Sequence, residues 1–402
     1  MRRIVLLALP FCWLVGLMPG HGDGDRSGSA PVSSLSYPGH AEEPDTDILV
    51  SVYPRLVGTR LDDCQTCHAG GTVTYDKGGT ADLYSCTYCH LLPHPDARVV
   101  AGAPADYDAT LNPFGKAYKS AGRSAHALRA IAGIDSDGDT YSNAAELDAL
   151  RYPGDPASRP GQQIAPSRLI SAERIEALDR HSQFLLLNSK KQKFDTYAAY
   201  RGVTVRTLLE SVDADLSAAT SVSFIAPDGF AWDCPVAWIE SPFPLGRYYP
   251  GLDPGGFADP EQGFVKYPPA DQIPAGLAEG AEIPGDPWML IAYGRDGGAL
   301  DASYLDAASG RIEGEGPYRL IVPQATPGRP DRGSAHSPSG YDDGHDFDDA
   351  TDHNAGFCVR GLVAVRLNPI PAGYEELDWK NGGWAMIAKS QLLVYGAGVR
   401  GD

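Results

Sequence analysis

Two neighbouring stretches decide the fold of this chain: Cys64-Gln65-Thr66-Cys67-His68 and Cys86-Thr87-Tyr88-Cys89-His90. Cys-x-x-Cys-His is the signature of c-type haem attachment, in which both thiols form thioethers and the histidine becomes the proximal iron ligand. Two copies in one short segment predict a site for two c-type haems. A four-cysteine zinc site or a pair of disulfides is the alternative, since paired Cys-x-x-Cys also suits zinc. Zinc, however, gives no reason for a histidine after both pairs.

The distal haem ligands are expected to be histidines. The chain has 4 methionines, and none of them lies between residues 46 and 160, so His/Met ligation is not available locally. The local candidates are His40, His94 and His126. Two bis-histidine haems would leave no open iron position, which favours electron transfer over catalysis. An open sixth position would instead allow small-ligand binding or peroxide chemistry.

An acidic loop over residues 135–146 predicts a calcium site similar to an EF-hand loop. Its candidate ligands are Asp135, Asp137, Asp139, the carbonyl of Tyr141, and Glu146. Hard oxygen ligands at positions 1, 3, 5, 7 and 12 of such a loop wrap around Ca2+. Thr140 departs from the pattern, because glycine is usual at position 6. The alternative is an acidic turn that binds no metal.

The N-terminus predicts export. Arg2 and Arg3 precede an apolar run over residues 4–18, which is typical of a signal peptide, here residues 1–22. An uncleaved anchor is the alternative. Residues 23–45 are rich in Gly, Ser, Pro and Asp and predict a flexible linker. We therefore expect a periplasmic or extracellular protein that is not an integral membrane protein.

The formal net charge of -19 argues against nucleic acid as a partner. The same charge argues against an anionic membrane surface. Redox proteins are the expected partners, because the acidic surface of this chain is able to steer a redox protein with a basic surface toward it. The alternative is that the charge only keeps an exported protein soluble. The oligomeric state is left open.

The sequence predicts a multidomain chain. Residues 46–160 are expected to form a small, mainly α or irregular dihaem domain in which the haems provide the core. Residues 165–325 are expected to form an α+β, mostly β domain, and residues 326–402 a C-terminal extension that packs on it. Helices are predicted at 114–131 and 143–151. Strands are predicted at 184–187, 221–225, 288–293, 318–322, 359–367 and 391–395, the last two joined by a turn at 369–373.

Two cysteines lie outside the haem motifs and the leader: Cys234 and Cys358. In an oxidising compartment they are able to pair and close a long loop. The alternative is that one of them is a ligand or a buried free thiol.

The second domain resembles the molybdopterin-binding domain of the sulfite-oxidase type. The resemblance rests on residues 200–209, Asp228-Gly229-Phe230, residues 290–294 and residues 316–323. It implies that family's fold. The chain lacks the Cys-x-Gly-Asn-Arg-like segment that supplies the metal thiolate in the family, and Cys234 is not where that ligand is expected. We therefore expect the fold without molybdenum.

The whole chain resembles bacterial dihaem proteins named for a Gly-Glu-Gly-Pro motif, here residues 314–317. The shared features are the two haem motifs, Leu111-Asn112-Pro113-Phe114-Gly115, the calcium loop and residues 353–361. The resemblance implies architecture more than activity. Glu315 is expected to sit in a structural turn between strands, with a functional role as the alternative.

Three functions follow from these features. The first is an exported electron carrier, more an electron-transfer protein than an enzyme. The second is a haem-coupled molybdopterin oxidoreductase that acts on a small oxyanion. The third is a binding or scaffold module in which the second domain docks a partner.

Overall fold

The computed structural model describes residues 44–74, 80–83, 110–189, 194–253, 264–306, 311–330, 352–375 and 386–400. The predicted signal peptide and nearly all of the predicted linker lie outside the described residues. The same holds for several predicted haem ligands: Cys86, Cys89, His90, His94 and His40.

The first part of the chain is built from short helices and one small hairpin. Its elements are α1 (Pro44–Val52), β1 (Gly71–Thr74), β2 (Thr80–Leu83), α2 (Pro113–Ser120), α3 (Ala125–Ala130) and α4 (Asn143–Asp148). The antiparallel pair β1–β2 has no counterpart among the predicted elements. The core of this part is small and consists of Leu49, Leu56, Leu61, Phe114, Tyr118, Ala127, Leu128, Ile131, Leu147 and Tyr152.

Polar caps decide where these helices begin. The side chains of Asn112, Ser124 and Ser142 accept hydrogen bonds from backbone N–H groups in the first turns of α2, α3 and α4. The helix predicted over 114–131 is therefore two helices. Gly122 has a φ of 99° and Arg123 a φ of 47°, so the backbone leaves the helical region before Ser124 starts α3. The second predicted helix, 143–151, ends at Asp148.

The second part of the chain is richer in strands. Its helices are α5 (Ala172–Glu176), α6 (Val205–Glu210) and α7 (Ala237–Glu240). Its strands are β3 (Gln163–Ile164), β4 (Ser167–Ile170), β5 (His181–Leu187), β6 (Asp195–Thr204), β7 (Ser221–Ile225), β8 (Ala231–Pro235), β9 (Arg247–Tyr248), β10 (Val265–Lys266), β11 (Ala281–Glu282), β12 (Leu290–Arg295), β13 (Gly298–Ala299), β14 (Tyr304–Asp306), β15 (Arg311–Glu313), β16 (Arg319–Ile321), β17 (Ala364–Asn368), β18 (Tyr374–Glu375) and β19 (Leu392–Gly396).

Two larger sheets organise this part. One follows the order β10-β6-β12-β13, with β5 paired to β6 and β16 paired to β12. The other follows the order β4-β19-β17-β7-β8. Apolar side chains from both sheets, among them Leu185, Tyr200, Phe224, Val365 and Val394, share one buried core. The described residues thus combine helices with mixed sheets, in which some neighbouring strands are parallel and others antiparallel.

The C-terminal residues are part of this architecture. In the five-stranded sheet, β17 lies between β19 and β7, and β19 lies between β17 and β4. Strands from the predicted domain 165–325 and strands from the predicted extension 326–402 are therefore hydrogen-bonded in one sheet. β17 and β19 run parallel, so the turn at 369–373 does not join them as a hairpin. The chain forms β18 before it returns as β19.

Candidate functional site

The first Cys-x-x-Cys-His motif forms a compact turn. Residues Cys64–Thr66 are a short 3-10 helix whose first turn is capped by Asp63, which accepts a hydrogen bond from the Gln65 N–H at 2.8 Å. The buried Thr66 hydroxyl donates to the Leu61 carbonyl at 2.8 Å. Local hydrogen bonds therefore set the path of the chain between the two cysteines.

A distant residue, Asn112, holds the same turn from the other side. Its Nδ2 donates to the carbonyls of Gln65 at 3.0 Å and Thr66 at 3.2 Å, and its backbone N–H donates to the Cys67 carbonyl at 3.0 Å. Its Oδ1 accepts from the Gly115 N–H at 2.9 Å and so caps α2. One buried side chain thus joins the motif to the start of a core helix.

The histidine of the motif is fixed by its ring nitrogen. His68 Nδ1 lies 2.5 Å from Thr110 Oγ1, and the Ala69 N–H donates to the Thr110 carbonyl at 2.8 Å. An engaged Nδ1 leaves Nε2 as the nitrogen that would bind iron, and such outer hydrogen bonds set the ring orientation of metal-ligating histidines.

The second cysteine of this motif, Cys67, is a free thiol. Cys67 packs against the core that contains Phe114 and Tyr118. Burial raises the pKa of Cys67 to about 12, with a further rise from the nearby Asp45 carboxylate. Cys67 is therefore a neutral thiol beside an apolar surface.

The described residues include one of the three candidate distal ligands. His126 lies on α3 with an exposed side chain, whereas its neighbours Ala127 and Leu128 face the core. The structure therefore gives His126 the position of a surface residue, and its ligation stays a prediction.

The acidic loop brings its predicted ligands together. Oxygen atoms of Asp135, Asp137 and Asp139 all lie within 4.8 Å of one another. Asp135 accepts hydrogen bonds from the backbone N–H groups of Gly138 at 2.7 Å and Thr140 at 2.9 Å, and these bonds lower the pKa of Asp135. Thr140 has a φ of 86°, so it adopts the backbone conformation for which EF-hand loops use glycine.

Glu146 is the residue that most strongly indicates a cation. Its side chain is 0% exposed, and neither carboxylate oxygen has a hydrogen-bond partner within the described part of the chain. Burial, together with the charges of Asp137 and Asp139, raises the pKa of Glu146 to about 8. Burial and the charge of Asp139 also raise the pKa of Asp137, to about 6. A buried carboxylate beside other carboxylates is unfavourable unless a cation compensates it.

Two further features of this loop agree with a cation. Asn143, at position 9, is fully buried; its Nδ2 donates to the Ile131 carbonyl at 2.8 Å, and its Oδ1 has no described partner. Tyr141 is partly exposed, and its N–H donates to Asp139 Oδ1 at 2.8 Å. Oxygen donors of this number and kind are those that Ca2+ prefers.

A buried ion-pair network lies between the two candidate sites and the second part of the chain. Glu375 on β18 accepts from Arg60 Nη2 at 2.7 Å and pairs with Arg151 Nε at 3.1 Å. Arg60 lies just before the first haem motif and stacks on the Tyr152 ring at 4.5 Å. The Arg151 N–H donates to the Glu146 carbonyl at 2.8 Å. The C-terminal segment therefore contacts residues beside both sites.

The Gly-Glu-Gly-Pro motif also carries a buried charge. Glu315 Oε1 lies 2.6 Å from Arg295 on β12 and 2.6 Å from Arg319 on β16. Tyr200 on β6 donates to Glu315 Oε2 at 3.3 Å. Glu315 thus connects three neighbouring strands, and this arrangement favours the structural interpretation of the motif.

The remaining cysteines do not form a disulfide, since Cys234 and Cys358 are both free and buried. Burial raises the pKa of Cys234 to about 12 and also raises that of Cys358. Both thiols therefore lie inside the core that the two larger sheets share.

Sequence reasoning singled out the candidate haem-binding and metal-binding residues but missed the residues that contact them. Asn112 was named only as part of the resemblance of residues 111–115 to a known family. Thr110 and Glu375 were not singled out. Asn112 did carry one local signal, because asparagine before proline indicates a helix start.

Comparison with known proteins adds no relative. The chain matches no protein-family model, no curated protein and no solved structure. Among the described residues, no helix is long and apolar enough to cross a lipid bilayer.

Proposed function

We propose that this chain is an exported dihaem c-type cytochrome that transfers electrons between periplasmic or extracellular redox proteins. The observation that supports this most is the first motif, where Asp63 and Asn112 hold the turn and Thr110 holds the proximal histidine. A zinc ribbon, by contrast, gives no reason for a histidine directly after both Cys-x-x-Cys pairs.

Within this proposal the chain supplies attachment and orientation. Cys64 and Cys67 provide the thioether sulfurs, and His68 provides the proximal nitrogen. The core around Phe114 and Tyr118 provides an apolar surface that keeps water from one side of the group. Bound haem supplies a reversible one-electron couple. The second motif, Cys86 to His90, is proposed to hold the other haem.

We propose that the acidic loop binds one Ca2+ with a structural role. Asp135, Asp137, Asp139, the Tyr141 carbonyl and Glu146 would hold it. The buried Glu146 carboxylate supports this, since a divalent cation offsets charges that the described side chains leave uncompensated. Extracellular modules of this kind bind Ca2+ weakly, with dissociation constants on the order of 0.1–1 mM.

For the second part of the chain we propose a sulfite-oxidase-type fold that has lost molybdenum. The absence from the sequence of a Cys-x-Gly-Asn-Arg-like segment supports this version over the alternative of a haem-coupled molybdopterin oxidoreductase. That alternative requires molybdenum in the purified protein. Its absence after expression in a molybdate-replete host would exclude it.

Haem content tests the electron-carrier proposal directly. The full chain is expressed with a c-type haem maturation system, beside variants in which either motif has both cysteines replaced by alanine. We expect two covalent haems in the wild type and one in each variant. Carbon monoxide should not bind the ferrous protein stoichiometrically if both irons are bis-histidine. Ready stoichiometric binding would overturn the electron-carrier assignment.

A further inference from the structure

We infer that Asn112 and Thr110 are the positioning residues of the first haem site, and this inference rests on the proposed haem function. Asn112 is inferred to shape the Cys-x-x-Cys turn for attachment. Thr110 is inferred to orient the proximal His68 and to tune its donation to iron. Both residues are more than 40 positions from the motif in sequence, so the fold brings them to it.

The contacts of Asn112 match what the turn needs. The carbonyls of Gln65 and Thr66 require donors, and both lie within 3.2 Å of the Asn112 amide nitrogen. Oδ1 of the same amide must accept the Gly115 N–H. Aspartate has the same shape and keeps the acceptor, but it loses the donors and places a negative charge against two carbonyl oxygens. The site therefore selects an amide by its chemistry and not by its size.

The backbone of the turn lies directly against the start of α2. A Cβ atom at position 115 would lie 2.1 Å from the Cys67 carbonyl oxygen, so the start of α2 touches the backbone of the motif. Phe114 anchors that helix in the core with 1% of its surface exposed. The segment 110–115 thus contacts the backbone of the turn that carries the two cysteines.

Thr110 is inferred to affect the reduction potential of the iron through its hydrogen bond to His68. When Nε2 of His68 binds iron, Nδ1 carries the proton and donates it to the Thr110 hydroxyl. Such a hydrogen bond fixes the ring and raises the basicity of the ligand, which favours ferric over ferrous iron. Its removal should therefore raise the reduction potential. A tenfold change in the ferric/ferrous preference corresponds to about 59 mV for a one-electron couple.

The experiment uses the full chain with its second motif intact, which serves as an internal reference. Asn112→Asp should attach haem at the second motif normally and lose most attachment at the first. Thr110→Val should retain both haems. It should raise the reduction potential of the first haem by an amount equivalent to at most about a tenfold change in the ferric/ferrous ratio. It should also alter the low-spin electron paramagnetic resonance signal of that haem. Thr110→Ser should restore both properties. A parent chain that lacks Cys86 and Cys89 assigns the shifted potential to the first haem.

Ser124→Ala is the matched structural control, because Ser124 caps α3 in the same core without touching the motif. It should change neither attachment nor potential. If Asn112→Asp attaches two haems and Thr110→Val leaves the potential and the resonance signal unchanged, the inference is wrong. If the wild type itself binds no covalent haem, the proposed function fails instead. If Asn112→Asp does not fold, the Thr110 pair still decides the inference for that residue.

Discussion

Replacement of Glu146 by glutamine separates a calcium ligand from a merely structural residue. Glu146 is buried beside Asp135, Asp137 and Asp139, and the nearest described cation is Arg159, whose Nε lies 3.6 Å from Asp139 Oδ2. Without calcium, the buried carboxylates repel one another. Above the pKa of about 8 that Glu146 has without calcium, glutamine removes one of these charges at almost constant volume. At such a pH the variant should be at least as stable as the wild type when calcium is absent.

With calcium the order should reverse. For a dissociation constant on the order of 0.1 mM, about 10 mM calcium is roughly a 100-fold excess and stabilises the native state by about 2.7 kcal/mol. For a unit the size of the first part of this chain, one kcal/mol moves the midpoint by about 4 °C. The wild type should therefore gain roughly 10 °C. Glu146→Gln should lose most of this gain, because a neutral amide is a weaker ligand for a divalent cation.

Calorimetry on the full, haem-loaded chain with calcium or with a chelator measures both effects. Asp148→Asn is the matched control, since Asp148 is on the same helix but exposed, where it pairs with Arg55. The control should keep the full calcium-dependent shift. A wild type whose midpoint ignores calcium would refute the reasoning, and so would a Glu146→Gln variant that is destabilised equally with and without calcium.

Two further predictions concern buried groups. Glu375→Gln should lower the free energy of unfolding by about 3 kcal/mol, measured by urea denaturation, because it removes the carboxylate that Arg60 and Arg151 share in a buried site. Cys234 and Cys358 should react with a thiol reagent only after unfolding, because both are buried thiols with raised pKa values.

Each of these has its own check. Glu282→Gln is the control for the ion pair, because Glu282 and Arg247 are exposed and 3.6 Å apart; its loss should cost less than about 1 kcal/mol. Equal costs for the two variants would show that burial does not matter at Glu375. Labelling of the folded protein as fast as of the unfolded one would contradict the described burial of the thiols.

Local patterns predicted local structure well where they were strong. The alternation over 221–225 is found as β7, and Thr204 ends a strand that runs directly into α6. The helix predicted over 114–131 failed because its apolar spacing continues across Gly122, whose backbone conformation ends α2. The parallel pairing of β17 with β19 was not predictable, because strand partners far apart in sequence are chosen by the packing of the whole sheet.

The candidate site shows the same division. Cysteine spacing and carboxylate spacing identify the groups that would bind haem and calcium, because those groups are close in sequence. The residues that hold them are far away: Thr110 is 42 positions from His68, and Glu375 is 315 positions from Arg60. No local pattern links such pairs. Their roles become visible only when the fold brings the atoms within hydrogen-bond distance.

The most direct test of the proposed function is elemental analysis of the purified mature protein for iron, calcium, molybdenum and zinc. Two Cys-x-x-Cys-His motifs and one acidic loop predict two iron atoms and one calcium per chain, without molybdenum. Zinc in place of iron would contradict the assignment of the motifs as haem sites. One molybdenum beside two irons would make the chain a haem-coupled molybdoenzyme.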